Sequence, residues 1–200
     1  MTDDDIGGPT LAALQELHTR LAATPRWGLE LEGSYVPRRS IRRADSRPAA
    51  HPYIDRGTAR LEVIHPESGY WVIHRHVLRE YGVTLAGPEP RTLIDEVTAA
   101  QLRAATAGTL REWWLPMLDD PTRLKHWGYR CYAVLTMCRM LYTLSHGAIV
   151  SKRTAARWTQ ETLDVRWNGV IDAALAWSAD RPPALTETLE LIRYTGRHTA

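Results

Sequence analysis

The stretch that decides the fold is YRCYAVLTMCRMLYTLSHGAIVSKRTAARW, residues 129–158. Residues 129–146 are apolar nearly all round a helix, which predicts a central helix covered by its neighbours. Gly147 suits the position that ends this helix, and Ser151 suits the N-cap of the next one. Two helices joined by so short a connection are typical of a helical bundle.

Lys152 directly follows this predicted cap. Free N–H groups and the helix dipole favour an anion at a helix N-terminus, and the lysine ammonium adds a full positive charge. The pattern therefore allows a phosphate site at Ser151 and Lys152. The alternative is a solvated lysine on an exposed first turn, which is the commoner arrangement of a Ser-Lys pair.

The rest of the chain divides into two regions on either side of residue 97. Residues 98–200 carry further helix patterns, the first of them starting at a Thr98 cap, and predict a helical bundle. Residues 1–97 mix helices with strands and predict a mixed α/β domain. In that region we expect helices over 9–24 and 71–82, strands over 27–36, 58–66 and 83–90, and an Arg- and Pro-rich loop over 37–57.

The bulk composition is that of an ordinary globular protein. Hydrophobic residues make up 44% of the chain, and 25 basic residues face 23 acidic ones, for a net charge of +2. This balance argues against a nucleic-acid coat and predicts no nucleic-acid partner. No apolar run has membrane-spanning length, and the acidic start of the chain lacks a signal-peptide pattern. We therefore expect a cytoplasmic protein without membrane association.

Two carboxylates lie on one face of the first predicted strand, at Glu30 and Glu32. Two residues of strand rise place them about 7 Å apart. Such a pair can hold a metal ion, or one carboxyl can have a raised pKa and serve as a general base. The alternative is the wet face of an edge strand.

Other candidate groups favour structural explanations. Cys131 and Cys138 are about two helical turns apart, roughly 10 Å, which is too far for a disulfide and predicts buried thiols. The acidic run Asp3–Asp5 is typical of a solvated terminus rather than a metal cluster. The histidines lack the spacing and the Cys-x-x-Cys partners of a zinc site, so no metal is predicted there; they are His51, His65, His74 and His76.

Two further groups have alternatives that stay open. Arginines in the predicted loop can contact phosphate backbones, or they can form a solvated or partner-contacting surface. These are Arg38, Arg39, Arg42 and Arg43. Trp113 and Trp114 end the first bundle helix, where they can stack on a ring-shaped ligand or fill a core or domain interface.

Two segments together resemble a known family. HVLREYGVTLAGPEPRTLIDEVTAAQLRAA, residues 76–105, and YAVLTMCRMLYTLSHGAIVSKRTAARWTQETL, residues 132–163, are similar to aminoglycoside nucleotidyltransferases of the streptomycin/spectinomycin adenylyltransferase group. The most specific marks are REYGVTLAGP, the central helix with Arg139 and Tyr142, and G-x-I-V-S-K-x-x-A-A-x-W.

The resemblance implies an α+β protein: an N-terminal nucleotidyltransferase domain over residues 1–97 and a C-terminal helical bundle over 98–200. In this family ATP, Mg²⁺ and a cationic aminoglycoside meet between the domains, and AMP passes to a drug hydroxyl. The matching positions imply Glu32 as catalytic base, with Glu30 as the alternate, and Lys152 with Ser151 at the ATP phosphates. Trp113 or Trp114 matches the drug-stacking tryptophan.

The sequence departs from the family pattern in two places. The family has acidic residues that contact drug and nucleotide, and the matching positions in this chain lie near Lys125 and Tyr129. Asp119 and Asp120 are nearby, but they are out of register with those positions. The family's Gly-Ser followed by Ser-Asp-x-Asp, whose aspartates hold magnesium, is not found in these 200 residues. We therefore expect an incomplete nucleotidyltransferase domain, truncated at its N-terminus, and no AMP transfer by this chain.

Two alternatives remain beside that expectation. The chain can be a non-catalytic module that binds a nucleotide or a cationic ligand at Lys152 and Glu32. The arginine set can instead bind RNA, with the family likeness only ancestral. A sheet lacking its first strands would expose an edge, which predicts self-association into a homo-oligomer.

Overall fold

The computed structural model describes residues 1–2, 5–24, 29–42, 49–65 and 68–198, without the side chains of 68–70. The chain forms two compact units, Met1–Glu96 and Val97–Ala200. Asp3, Asp4 and Arg43, which the sequence marked as candidates, lie outside the described residues.

The first unit contains a small antiparallel sheet. Its strands are β1 (Gly33–Ser34), β2 (His51–Ile54) and β3 (Leu61–Ile64), in the order β1-β2-β3. The predicted strand over 27–36 was too long, since among its described residues, 29–36, only Gly33–Ser34 form a strand. The predicted strand over 83–90 was wrong, because residues 83–89 are bends and irregular backbone.

The predicted loop over 37–57 was also wrong in part, because it contains β2 and the short helix α2 (Arg38–Ile41). Pro52 hid the strand, since proline lacks the N–H that a central strand donates. Its carbonyl oxygen nevertheless accepts a hydrogen bond from the Tyr35 N–H at 2.9 Å, just beyond the end of β1. The missing N–H of Pro52 therefore removes one backbone hydrogen bond between β1 and β2, at the point where their pairing ends.

Helix α1 (Gly8–Ala22) is fixed to the sheet by two polar side chains. The Gln15 amide donates to the Ala59 carbonyl at 2.8 Å and accepts from the Leu61 N–H at 2.9 Å. The Nε2 atom of His18 lies 2.8 Å from the Tyr35 hydroxyl oxygen. The predicted helix is confirmed, with proline in its first turn.

A second pair of helices completes the first unit: α3 (Ser68–Tyr81) and α4 (Pro90–Leu93). Trp71 of α3 donates its indole N–H to the Ser40 carbonyl at 3.2 Å. Buried residues from four segments form one small core, namely Val36, Ile41, Trp71 and Ile94. This core is held by few side chains, because the unit has little sheet to cover.

The second unit starts with a capped helix, α5 (Ala99–Thr109). Thr98 accepts from the Gln101 N–H, and the Gln101 side chain accepts from the Thr98 N–H, so the predicted cap is confirmed as a capping box. A wider π turn follows over Leu110–Trp114, and then two 3₁₀ turns over Leu115–Leu118 and Thr122–Lys125.

The central helix α6 (Trp127–His146) is the axis of the bundle, as predicted. It ends at Gly147, whose φ of +64° is the left-handed conformation that glycine adopts without strain. Arg103 of α5 donates to the last carbonyls of α6, with its Nε 2.9 Å from the Leu144 oxygen and its Nη2 3.3 Å from the Ser145 oxygen. The C-terminal end of α6 is therefore capped by a cation.

Three helices pack around α6: α7 (Lys152–Thr162), α8 (Asn168–Ala176) and α9 (Leu185–Gly196). A 3₁₀ turn over Val165–Trp167 leads into α8. The larger core of the chain lies here and includes Leu124, Val134, Met137, Ile171 and Leu191. The predicted fold class, α+β with a helical bundle, is confirmed.

None of the helices in the described part of the chain combines the length and the apolar character needed to cross a bilayer.

The two cysteines are buried thiols on α6. Burial raises the pKa of the Cys138 thiol to about 11, and it also raises the pKa of Cys131. Burial favours the neutral form of the Cys138 thiol. The stability that this thiol contributes is therefore full below the pKa of 9.0 that it has in the unfolded chain, and it is lost as the pH rises through about 11, its pKa in the folded chain.

We expect both thiols of the native chain to resist a thiol-directed reagent at about pH 8, because the thiolate is the reactive form. Unfolding in guanidinium should make both react at once. Counting modified cysteines by absorbance against time tests this. Rapid labelling of either thiol in the native chain would contradict the buried placement.

Candidate functional site

Lys152 is the first residue of α7, as its sequence context predicted. Ser151 caps the helix: its Oγ accepts from the Thr154 N–H at 3.1 Å and lies 2.8 Å from the Thr154 hydroxyl. The Ser151 side chain is therefore used to fix the helix start. The first-turn N–H groups remain the natural place for an anion beside the Lys152 ammonium.

The Lys152 ammonium is held against α6. Its Nζ lies 3.8 Å from the centroid of the Tyr132 ring, a cation–π contact. This contact fixes the charge at the crossing of α6 and α7. The lysine side chain is half-buried there rather than extended into solvent.

Tyr132 belongs to a group of four aromatic side chains, Trp113, Trp114, Tyr129 and Tyr132, which we call the aromatic cluster. The Tyr129 and Tyr132 ring centroids are 5.6 Å apart, and Trp114 lies 6.0 Å from the first and 5.8 Å from the second. The Trp113 indole N–H donates to the Tyr129 hydroxyl at 3.2 Å. A row of direct contacts thus joins Lys152 to Trp113.

The two tryptophans differ sharply in exposure. Trp114 is 2% exposed and packs in the bundle core, whereas Trp113 is 37% exposed. Of the two predicted drug-stacking residues, Trp114 has no face available to a ligand. Trp113 is the candidate that the geometry leaves.

The charge beside Trp113 is positive where the resemblance implied acidic partners. The Arg123 guanidinium carbon lies 4.8 Å from the Trp113 ring centroid. Arg123 and Lys125 share the 3₁₀ turn that Arg130 holds, since the Arg130 guanidinium donates to the carbonyls at 124 and 125. This basic turn is well fixed and is not arranged to bind a cation.

Asp120 is the nearest predicted acidic substitute. It accepts from the Thr122 hydroxyl at 2.6 Å and from the Thr122 N–H at 3.1 Å. The hydroxyl first and then the backbone bond hold the pKa of Asp120 below its usual value. Its carboxylate is exposed and charged at neutral pH, with one oxygen used by the turn.

Glu32 lies in the first unit, immediately before β1. The Tyr53 hydroxyl is 3.2 Å from Glu32 Oε1 and 3.2 Å from Asp55 Oδ1. Burial, and then the negative charges of Glu32 and Asp55, raise the pKa of Tyr53, so this hydroxyl stays protonated and can donate to one carboxylate at a time. Glu32 is an exposed acceptor, which a general base needs.

Glu30 has a different partner, because it forms an ion pair with Arg56. The two glutamates predicted to act as a pair are therefore engaged separately. Within the described ranges, no group of three or more His, Cys, Asp or Glu side chains is placed to hold a metal ion.

The arginine set is tied to nearby acidic residues. Arg39 forms an ion pair with Asp5, and Arg42 lies 3.8 Å from Asp95. Both pairs are exposed and stabilise the fold little. His51 is buried, and its Nδ1 lies 2.9 Å from the Ala49 carbonyl oxygen. Arg39 and Arg42 thus pair with carboxylates of their own unit, and His51 is buried beside a backbone carbonyl.

Sequence reasoning missed Tyr129 and Tyr132, the residues that connect Lys152 to Trp113. Their i, i+3 spacing places them on one face of α6 and was the available signal. This spacing did not indicate a site because α6 is apolar all round, so no face of the helix differs from the others in the sequence.

Comparison with known proteins places this arrangement in a family. The family model "Aminoglycoside adenylyltransferase, C-terminal domain" matches residues 92–193, just over half of the chain. The chain belongs to this family, which confirms the resemblance found in the sequence.

A particular relative agrees with this assignment. The Aminoglycoside (3'') (9) adenylyltransferase of Escherichia coli is 32% identical over 117 residues, which cover 56% of this chain and 41% of the relative. The match therefore spans about two fifths of the length of that relative.

Proposed function

We propose that the chain supplies the ATP-phosphate and drug-contacting surface of an aminoglycoside adenylyltransferase. In that reaction a drug hydroxyl attacks the α-phosphorus of ATP, the bond to the bridging oxygen breaks, and pyrophosphate leaves as AMP joins the drug. The activity in the name of the Escherichia coli relative and the family match support this choice.

The observation that carries the proposal is the contact of Lys152 with the aromatic cluster. The ammonium is fixed 3.8 Å from the Tyr132 ring at a helix N-terminus, where backbone N–H groups also favour a phosphate. The same cluster presents the exposed ring of Trp113, on which a ring-shaped drug can stack. The phosphate contact and the ring contact therefore come from the two ends of one row of side chains, which runs from Lys152 through Tyr132 and Tyr129 to Trp113.

Glu32 is the residue we assign to accept the proton of the attacking hydroxyl. Its exposed carboxylate accepts hydrogen bonds, and the neutral Tyr53 hydroxyl orients it. The family's Ser-Asp-x-Asp is not found in these 200 residues, and the described residues contain no cluster of three or more possible metal ligands. We therefore propose that this chain alone does not transfer AMP.

A second candidate is a non-catalytic module that binds a nucleotide or another ring-bearing ligand. One observation favours it: Lys152 and all four members of the aromatic cluster belong to the second unit. Binding at these residues requires nothing from Glu32. The two candidates share the phosphate contact and differ in whether Glu32 and a drug take part.

Lys152→Gln should weaken ATP binding about tenfold or more, because a charge-assisted contact to phosphate is lost. Isothermal titration of the full chain with ATP measures this. Lys125→Gln is the matched control, since Lys125 is the other lysine of the sequence and lies in the 3₁₀ turn. Equal affinities for the wild type and Lys152→Gln would remove the proposed phosphate role.

Incubation with ATP, magnesium and a streptomycin and spectinomycin panel tests the proposed inactivity. We expect ATP binding without adenylylated drug by mass spectrometry. If adenylylated drug forms, is lost in Glu32→Gln and persists in Glu30→Gln, the proposed inactivity is wrong and the base assignment gains support. No ATP binding under any condition would contradict both candidates.

A further inference from the structure

An open cavity lies on the surface of the bundle between the 3₁₀ turn before α8 and the C-terminal half of α9, and its charged side chains are exposed. Its volume is about 230 Å³, and six residues line it: Arg166, Trp167, Glu190, Arg193, Tyr194 and Arg197. The proposed nucleotide surface uses none of them. Lys152 starts α7, whereas Arg166 and Trp167 lie in the 3₁₀ turn that follows the last residue of that helix, Thr162.

The charge of the lining is strongly positive. Three guanidinium groups face one carboxylate, that of Glu190, so the lining carries two positive charges in excess. Arg166 is partly fixed, because its guanidinium carbon lies 4.5 Å from the Trp167 ring centroid. Guanidinium groups bind phosphate through paired N–H donors, and a phosphate monoester carries close to two negative charges at neutral pH.

A buried donor in the lining also lacks a partner. Trp167 is 3% exposed, and its indole Nε1 finds no hydrogen-bond acceptor among the described residues. A buried N–H without an acceptor is uncommon in a folded protein. An anion seated in the cavity would supply the missing acceptor.

Aromatic rings form the apolar part of the lining. The Trp167 and Tyr194 ring centroids are 5.4 Å apart, and Tyr194 in turn lies 4.5 Å from the His198 ring. The cavity is smaller than the ~300–1,000 Å³ usual for drug-sized ligands. It suits a phosphate with a small organic group better than a whole aminoglycoside, whose positive charge the arginines would repel.

We propose that this cavity is a second binding site of the chain, for a phosphate-bearing small molecule. Arg193 and Arg197 hold the phosphate oxygens. Arg166 is positioned by Trp167 and adds a third charge. The Trp167 indole N–H donates to the bound anion.

Titration of the full chain with inorganic phosphate, and separately with ribose 5-phosphate, tests the site and distinguishes free phosphate from a phosphate ester. We expect saturable binding, weakened about tenfold by Arg193→Gln or Arg197→Gln. The Trp167 indole N–H resonance, assigned with Trp167→Phe, should move on binding. Arg181→Gln is the matched control, because Arg181 is exposed and does not line the cavity.

The Trp167 indole N–H resonance belongs to the cavity and not to the proposed nucleotide surface, so its shift on binding tests this site independently of that surface. Equal loss in Arg181→Gln and Arg193→Gln would show general attraction to a basic surface and overturn the site. Absence of saturable binding by both phosphate probes would also overturn it. Binding of a single-stranded RNA in place of both probes would make this a nucleic-acid surface instead.

Discussion

Trp114→Ala should lower the free energy of unfolding by about 3–5 kcal/mol, the usual loss for a large aromatic side chain removed from a core. Trp114 is 2% exposed, and the rings of Tyr129 and Tyr132 lie against it. Truncation would leave a cavity between α6 and the π turn that these two tyrosines cannot fill without moving.

Trp113→Ala is the matched control for that change, because it removes the same side chain one residue earlier. Trp113 is 37% exposed, so its loss should cost about 1 kcal/mol or less. Urea unfolding followed by circular dichroism compares the two variants at unchanged m-value. Similar losses of unfolding free energy in both variants would contradict the placement of Trp114 in the core and Trp113 at the surface.

Gly147→Ala should destabilise the chain by about 2–4 kcal/mol. An alanine at a φ of +64° costs about 1–2 kcal/mol by itself. Its Cβ would also lie 2.6 Å from Ala99 Cβ and 2.9 Å from the Arg103 guanidinium carbon. Arg103 would have to move, and the carbonyls at the end of α6 would lose their donor.

Gly108→Ala provides a control of opposite sign. Gly108 lies in α5, its φ is not positive, and an added Cβ would meet nothing within 4 Å. Alanine there should stabilise the helix by about 0.5–1 kcal/mol, since glycine is the poorer helix former. Thermal unfolding of the two variants should therefore shift in opposite directions; a shift of the same sign would contradict the assigned backbone conformations.

The bundle could be predicted from sequence because its signals are local. Thr98, Gly147 and Ser151 act within one turn of their own positions, and each has the conformation or cap that its residue type favours. The apolar run of α6 also identified the helix that the others cover. These features need no knowledge of distant contacts.

The sheet could not be predicted in the same way, because strand pairing is decided between distant residues. Alternating Leu29 and Leu31 suggested a strand that the structure limits to Gly33–Ser34. Pro52 concealed β2, although its carbonyl still accepts from Tyr35. In each case tertiary partners outweighed the local pattern.

The candidate site was predicted in pieces. Lys152, Ser151 and Glu32 were chosen from residue type and position, but the ring of Tyr132 under the Lys152 ammonium could not be inferred from either. The arginine cavity was missed because its six residues come from two segments more than 20 positions apart, and no single stretch carries its charge.

The π turn over Leu110–Trp114 determines which indole faces solvent. In a regular α-helix Trp113 would follow buried Thr106 by seven positions and share its face. The wider turn accumulates less rotation per residue and so turns Trp113 away from that face, while Trp114 stays inward one turn after buried Leu110. The length of this segment, rather than side-chain identity, thus decides that Trp113 is the exposed indole. Under the proposed function, the gain or loss of one residue in this turn would change the ring that a ligand meets without any substitution.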